Sequence, residues 1–291
     1  GIGLFISLIG FENAKFIVDN PATLVGIASF KDPIVITFLL GLFVTAVLIV
    51  RQTTGGIIIG IVLTTLLAIP IGRWWGDASA VNFGNAQLVT WQGVFSSPDF
   101  SLLFQLDLVN SLKVSLFPVI FAFVFTDMFD SISTFVGIAE AADLYDENGE
   151  PQNVKKSLMT DAVATLLGGI LGTSPGTAYI ESAVGIEQGG RRGLTAITAG
   201  LLFLPFMFLS PLLSIVPAIA TAPALIIVGV FMMKPIAKIN WSELDDAVPA
   251  FLALVLIPFS YSITQGIIWG FLSWTIIKVA VGKSKEVSLA L

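Results

Sequence analysis

Apolar runs recur along this chain at nearly the length of a bilayer crossing, separated by short breaks rich in charge, glycine or proline. They fall at 1–18, 33–50, 55–72, 113–138, 157–172, 192–211, 219–233, 246–262 and 264–281. A spanning helix needs roughly 20 apolar residues, whereas the buried strands of a soluble α/β protein stop at about 8. The pattern therefore predicts an all-α polytopic membrane protein. The run 177–190 is too short to cross. The stretch 74–112 is amphipathic and carries Trp74, Trp75 and Trp91, whose rings suit the membrane interface, so it is expected to lie on one membrane face. Glycines 41, 55, 56 and 60 fit close helix packing.

Composition agrees with a lipid solvent. Of the 291 residues, 55% are hydrophobic and 12% charged, and the mean hydropathy is +0.93. There are no cysteines and no histidines. Disulfides, thiolate chemistry and imidazole metal sites are excluded, and a proton relay has to use carboxylates. The net charge of −6 comes without a basic run or an aromatic-basic stripe, so no nucleic acid is expected. No nucleotide-binding loop, metal cluster or nucleophile-base set is present, so neither an enzyme nor a cofactor is expected. The chain opens on Gly1 inside an apolar stretch without a basic leader or cleavage site. That is not a signal peptide, and the expectation is a chain that begins partway through a larger protein.

Counting 177–190 as a half-crossing divides the basic residues unevenly. Arg51, Lys155, Lys156, Arg191, Arg192, Lys234, Lys238, Lys278, Lys283 and Lys285 fall on one side, and Lys15, Lys31, Arg73 and Lys113 on the other. Positive charge gathers on the cytoplasmic side, which predicts a multi-pass protein of the cell membrane with a cytoplasmic C-terminus.

Polar groups at membrane depth are costly and usually functional. In the sequence FAFVFTDMFDSISTF, starting at Phe121, Asp127, Asp130, Ser131 and Thr134 recur at helical spacing on one face, with Phe123 a turn earlier, where its ring could stack on a planar ligand. A lone aspartate there serves equally well at a helix end or against a neighbouring helix. Two on one stripe resist ionising together, which gives a route to proton carriage without histidine. A second stretch, Gly168 to Arg192, has Ser174-Pro175-Gly176 near mid-membrane, where a helix cannot continue. Thr177, Ala178 and Tyr179 then read as a short extended piece and residues 181–188 as a half-helix with Glu181 at its positive end. Broken backbone at that depth lines a cavity or is covered by protein, so it marks either a binding site or a re-entrant turn. Asp161, soon after Lys155, Lys156 and Ser157, reads as helix-end electrostatics. Glu12 and Asn13 interrupt the first run and either line the cavity or pack against other helices. Asp143, Asp146, Glu147 and Glu150 read as a solvated loop.

The strings TDMFDSIST (126–134), GTSPGTAYIESAVG (172–185), GGRRGLT (189–195) and TAPALIIVG (221–229) resemble the xanthine/uracil permease superfamily of nucleobase:cation symporters, and within it the adenine/guanine/hypoxanthine branch. The resemblance covers essentially the whole chain. It implies an inverted-repeat transporter with core and gate domains and a broken helix carrying a short strand near the membrane midplane. Residues 1–72 would be gate helices (segments 5–7), 73–112 an external amphipathic connection, 113–211 the second half of the core (segments 8–11), and 212–291 gate helices (segments 12–14) with a cytoplasmic tail.

By the same resemblance Asp127 is the eighth-segment acid at the substrate, Asp130 and Ser131 are proton-linked, and Glu181 is the tenth-segment carboxylate that grips the base and shares in proton coupling. Backbone at Thr177 and Ala178 completes recognition. An aspartate pair, where uracil-type members have glutamate, favours a purine. The function implied is import of adenine, guanine or hypoxanthine by proton symport, with the nucleobase, a proton and the bilayer as partners, and a homodimer left open. A sulfate-transporter-type anion exchanger and a uracil or xanthine permease are the alternatives. Three carboxylates without a nearby cation speak against an anion.

Overall fold

The computed structural model of the protein describes residues 1–79, 82, 84–147, 149–179, 182–187, 189–284 and 287. In chain order the elements are α1 (Ile2–Asn13), β1 (Ile17–Asn20), β2 (Leu24–Ile27), α2 (Pro33–Val50), α3 (Gly56–Ala68), α4 (Leu108–Ser111), α5 (Phe117–Ala142), α6 (Val154–Leu171), α7 (Ser182–Glu187), α8 (Gly193–Phe203), α9 (Ser210–Leu213), α10 (Ala218–Phe231), α11 (Leu244–Ser260) and α12 (Ile263–Ala280). Two units emerge: Gly1–Ser96 with Pro205–Leu291, and Ser97–Leu204.

By length and composition, four stretches among the described residues are apolar and long enough to cross a membrane: Pro33–Val50, Val114–Ala139, Ala218–Lys238 and Ile263–Ala280. The run 1–18 divides into the 12-residue α1 and a β-hairpin in which Ile17 pairs with Ile27 and Asn20 with Leu24. At ~1.5 Å per residue such a helix is shorter than a bilayer's hydrocarbon core.

In the first unit, α2 starts where the sequence dictates. The Asp32 carboxylate accepts the Ile34 N–H at 2.9 Å, and Pro33 occupies the first helical position, where a missing N–H costs nothing. The hairpin of α2 and α3 interlocks through two reciprocal pairs. Thr45 Oγ1 donates to the Gly41 carbonyl and Thr64 Oγ1 to that of Gly60, each at 2.7 Å. A β-carbon on Gly41 would collide with Thr64, and one on Gly60 with Thr45. Each threonine thus satisfies its hydroxyl on its own helix and fills the notch opposite. Gly55 differs: it heads α3 with φ +72, and a β-carbon there would meet open space. The α1–α10 contact uses the same small-residue approach at Gly3, Gly10 and Gly229, and the α11–α12 contact at Gly266 and Gly270. Leu40, Phe43, Val47 and Val50 of α2 point outward, as lipid-facing residues should.

Part of the connection that follows α3 is not a surface strap. Ile71, Ala78, Leu88 and Val89 are buried in one cluster with Ile34, Ala68 and Ile219, so the chain folds back over the ends of α2, α3 and α10. Arg73 secures it, donating to the carbonyls of Ile69 (2.7 Å) and Val89 (2.9 Å). Trp74 and Trp91 remain exposed.

In the second unit, α5 and α6 pack together and α7 packs on α5. The α6 helix ends at Gly172, whose φ of +75 suits glycine, while Thr173 N–H closes on the Gly168 carbonyl at 2.9 Å. The turn before α4 also holds this end: Phe104 N–H donates to the Ile170 carbonyl at 3.0 Å. Residues 173–179 are in neither helix nor strand, and the six-residue α7 follows.

Candidate functional site

The polar stripe of α5 lies as its spacing requires. Ser131 is fully buried and Thr134 nearly so, while Asp127 and Asp130 are half-buried. What faces them is Asp161 of α6. Ser131 Oγ donates to Asp161 Oδ2 at 2.6 Å, a short charge-assisted bond. Asp130 lies close enough to feel the charges of both Asp127 and Asp161. The structure therefore gathers three carboxylates and a serine where sequence reasoning counted two carboxylates and a serine on one helix.

The reading of Asp161 as helix-end electrostatics does not hold. Helix α6 begins at Val154, three residues ahead of the apolar run, so Asp161 is well inside it and 7% exposed. The signal that could have found it was another stripe. Asp161, Thr165 and Gly168 recur at helical spacing, and the Thr165 hydroxyl is buried without a hydrogen-bond partner among the described residues.

The glycine-proline segment comes to the same helix. Gly176 sits against Ala164, with its β-carbon position 3.5 Å from the alanine methyl, one residue from Thr165 and within a turn of Asp161. Thr177 and Ala178 are half-buried and Tyr179 is exposed. Glu181, singled out on sequence grounds, lies outside the described residues. Phe123 is 72% exposed on α5, while Phe121, Phe125 and Phe129 form a ladder along the helix with centroid spacings of 5.7 and 4.5 Å.

In the first unit, the exposed Glu12 carboxylate accepts from the Tyr261 hydroxyl. No group of three or more acidic, cysteine or histidine ligands placed to hold a metal occurs among the described residues.

Comparison with known proteins places these residues in company. A family model described as "Permease family", that of the xanthine/uracil permeases, matches residues 1–269. The chain is 41% identical over 290 residues to the adenine permease AdeP of Escherichia coli K12, covering 99% of this chain and 62% of that protein. It is 39% identical over 289 residues to the guanine/hypoxanthine permease PbuO of Bacillus subtilis 168, covering 99% and 65%. For the guanine/hypoxanthine permease PbuG of the same organism the figures are 38% over 290 residues, 99% and 63%. The chain thus spans less than two thirds of the length of these relatives.

Proposed function

Because the chain belongs to the xanthine/uracil permease family, we propose that it forms part of a purine nucleobase importer driven by proton symport, working by alternating access. Permeases release their solute unchanged, so the chain is no enzyme. The observation that carries the proposal is the Asp127, Asp130 and Asp161 cluster, in which Ser131 joins Asp161 to α5 while Gly176 sits against Ala164 on the helix that bears Asp161. Three carboxylates in one neighbourhood repel one another when charged, and a proton taken up by the cluster relieves that repulsion. A purine offers ring N–H and exocyclic donors to a carboxylate, and its remaining acceptors suit the unpaired backbone N–H groups of a helix break. Glu181, from the second motif, grips the base. Proton and base then favour each other's binding.

In this reading residues 113–211 are the second half of the core, and 1–72 and 212–291 supply gate helices on a multi-pass, cell-membrane protein with its C-terminus in the cytoplasm. Relatives named for adenine and for guanine/hypoxanthine support a purine over uracil or a small anion. The test is uptake of labelled adenine, guanine, hypoxanthine and uracil at two pH values in transport-deficient cells that express the full-length gene. Import of a purine that is faster at the lower pH is expected. Uptake of uracil alone, or of no base, would overturn the proposal.

A further inference from the structure

The ends of α11 and α12 that lie away from their connecting turn hold a charge network in the first unit that the substrate site does not use. Lys278, with 4% of its side chain exposed, lies 2.9 Å from Asp245 Oδ2 and 3.0 Å from Asp246 Oδ1. Lys283 reaches the same Asp245 oxygen at 2.7 Å with 42% of its side chain exposed. Trp274 Nε1 donates to Asp246 Oδ1 at 3.1 Å, and the Lys278 ammonium stands 5.9 Å from the Trp274 ring centroid. Two helices and the turn after α12 therefore converge on one turn of backbone.

That turn carries one of the two prolines inside α11, the other being Pro258 near its C-terminal end. Pro249 lies inside the helix and has no N–H to give to the carbonyl of Asp245 four residues earlier. A helix loses continuity at such a step and opens locally unless something else restrains it. The two acidic side chains on the far side of the proline are the ones that the lysines hold. Lys283 is aimed by the cap of α12: Gly282 has φ +82, and Lys283 N–H donates to the Lys278 carbonyl at 2.8 Å. Further along, Gly266 and Gly270 bring α12 against Ala253 and Ile257, and the turn at Tyr261 closes the other end.

We propose that Asp245, Asp246, Lys278 and Lys283 form a clamp that restrains, through side chains, the turn where Pro249 removes a backbone hydrogen bond, and makes α11 and α12 one rigid body. Its relevance to transport rests on the permease reading, in which a gate element must move without fraying. A buried ion pair is no general source of stability, since an apolar pair of matched volume often serves as well. The clamp's work is directional: it fixes one particular turn.

The test is backbone hydrogen exchange of residues 244–248 on the purified protein, together with uptake of radiolabelled adenine and guanine by cells that express the full-length gene. The variants are Lys283→Met and the pair Asp245→Leu with Lys278→Met. Lys283 is part-exposed, so its variant keeps the measurement available even if the apolar pair fails to fold. In each folded variant, exchange at 244–248 is expected to rise about two- to fivefold, the scale of losing a part-exposed pair, while the rest of α11 and α12 is unchanged. Maximal uptake falls with the half-saturating concentration unaltered. Unchanged exchange at 244–248 overturns the clamp. Faster exchange with unaltered maximal uptake overturns its part in gating. If the unmodified protein imports neither base while 244–248 respond as stated, the permease reading fails and the clamp stands.

Discussion

Ser131 shows how a single hydroxyl can decide what a carboxylate does. Its bond to Asp161 fixes that acid on α6 beside the two acids of α5. Ser131→Ala removes the donor and leaves a buried carboxylate short of one partner, which is expected to cost about 1 to 3 kcal/mol, measured as a lower thermal midpoint in detergent. An unshifted midpoint would mean that Asp161 re-pairs freely. Asp127 is argued differently, since its proposed task is to carry charge. Asp127→Asn keeps the shape and loses the ionisable group, so uptake that rises toward lower pH in the unmodified protein should become nearly flat. A pH profile unchanged by that substitution would assign the coupling proton to another group. Asp127, Asp130 and Ser131 were legible in the sequence because a fixed helical period puts them on one face. Asp161 was not, because the meeting of α5 with α6 is a tertiary event and the true start of α6 preceded its apolar run.

The interlocked α2–α3 hairpin is the clearest case at the scale of elements. Gly60→Leu would drive a side chain into Thr45, and overpacking of this kind costs about 1 to 3 kcal/mol; the check is a reduced yield of folded protein by size-exclusion profile. Gly55→Ala, at the open head of α3, has room but an unfavourable φ, and the comparison separates crowding from backbone strain. Boundaries were readable where charge and proline punctuate the chain: Asp32-Pro33 and Arg51 bracket α2 at the limits that the apolar run gives. They failed at 1–18. Counting apolar residues cannot tell a helix from a strand, and the apolar positions on either side of the Glu12-Asn13 interruption belong to α1 and to the first strand of a hairpin. After α3 the tryptophans singled out in the sequence lie exposed, while Ala78, Leu88 and Val89, which no apolar run had marked, fill a small core.

At the scale of the whole molecule, the two units carry different electrostatic tasks. The first holds the paired charges of Asp245, Asp246, Lys278 and Lys283, and the second the like charges of Asp127, Asp130 and Asp161. Asp245, just ahead of the apolar run 246–262, is held well below the usual carboxylate range by its hydrogen bonds to Lys278 and Lys283. A lowered native value means that its contribution is present above about pH 3.9, the ordinary aspartate value, and is lost as pH falls from there toward the native one. Acid titration of the thermal midpoint should therefore fall below about pH 4, and Asp245→Asn should flatten that limb. A limb unchanged by the substitution would place the acid sensitivity in other carboxylates. The bond from Phe104 to the Ile170 carbonyl has a practical meaning of its own. It makes the end of α6 answerable to a peptide turn far along the chain, and the protein has no cysteine to compete for label. A dye on a single cysteine introduced at exposed Leu102, which touches Gly172, would therefore serve as an optical gauge of strain in the helix that bears Asp161.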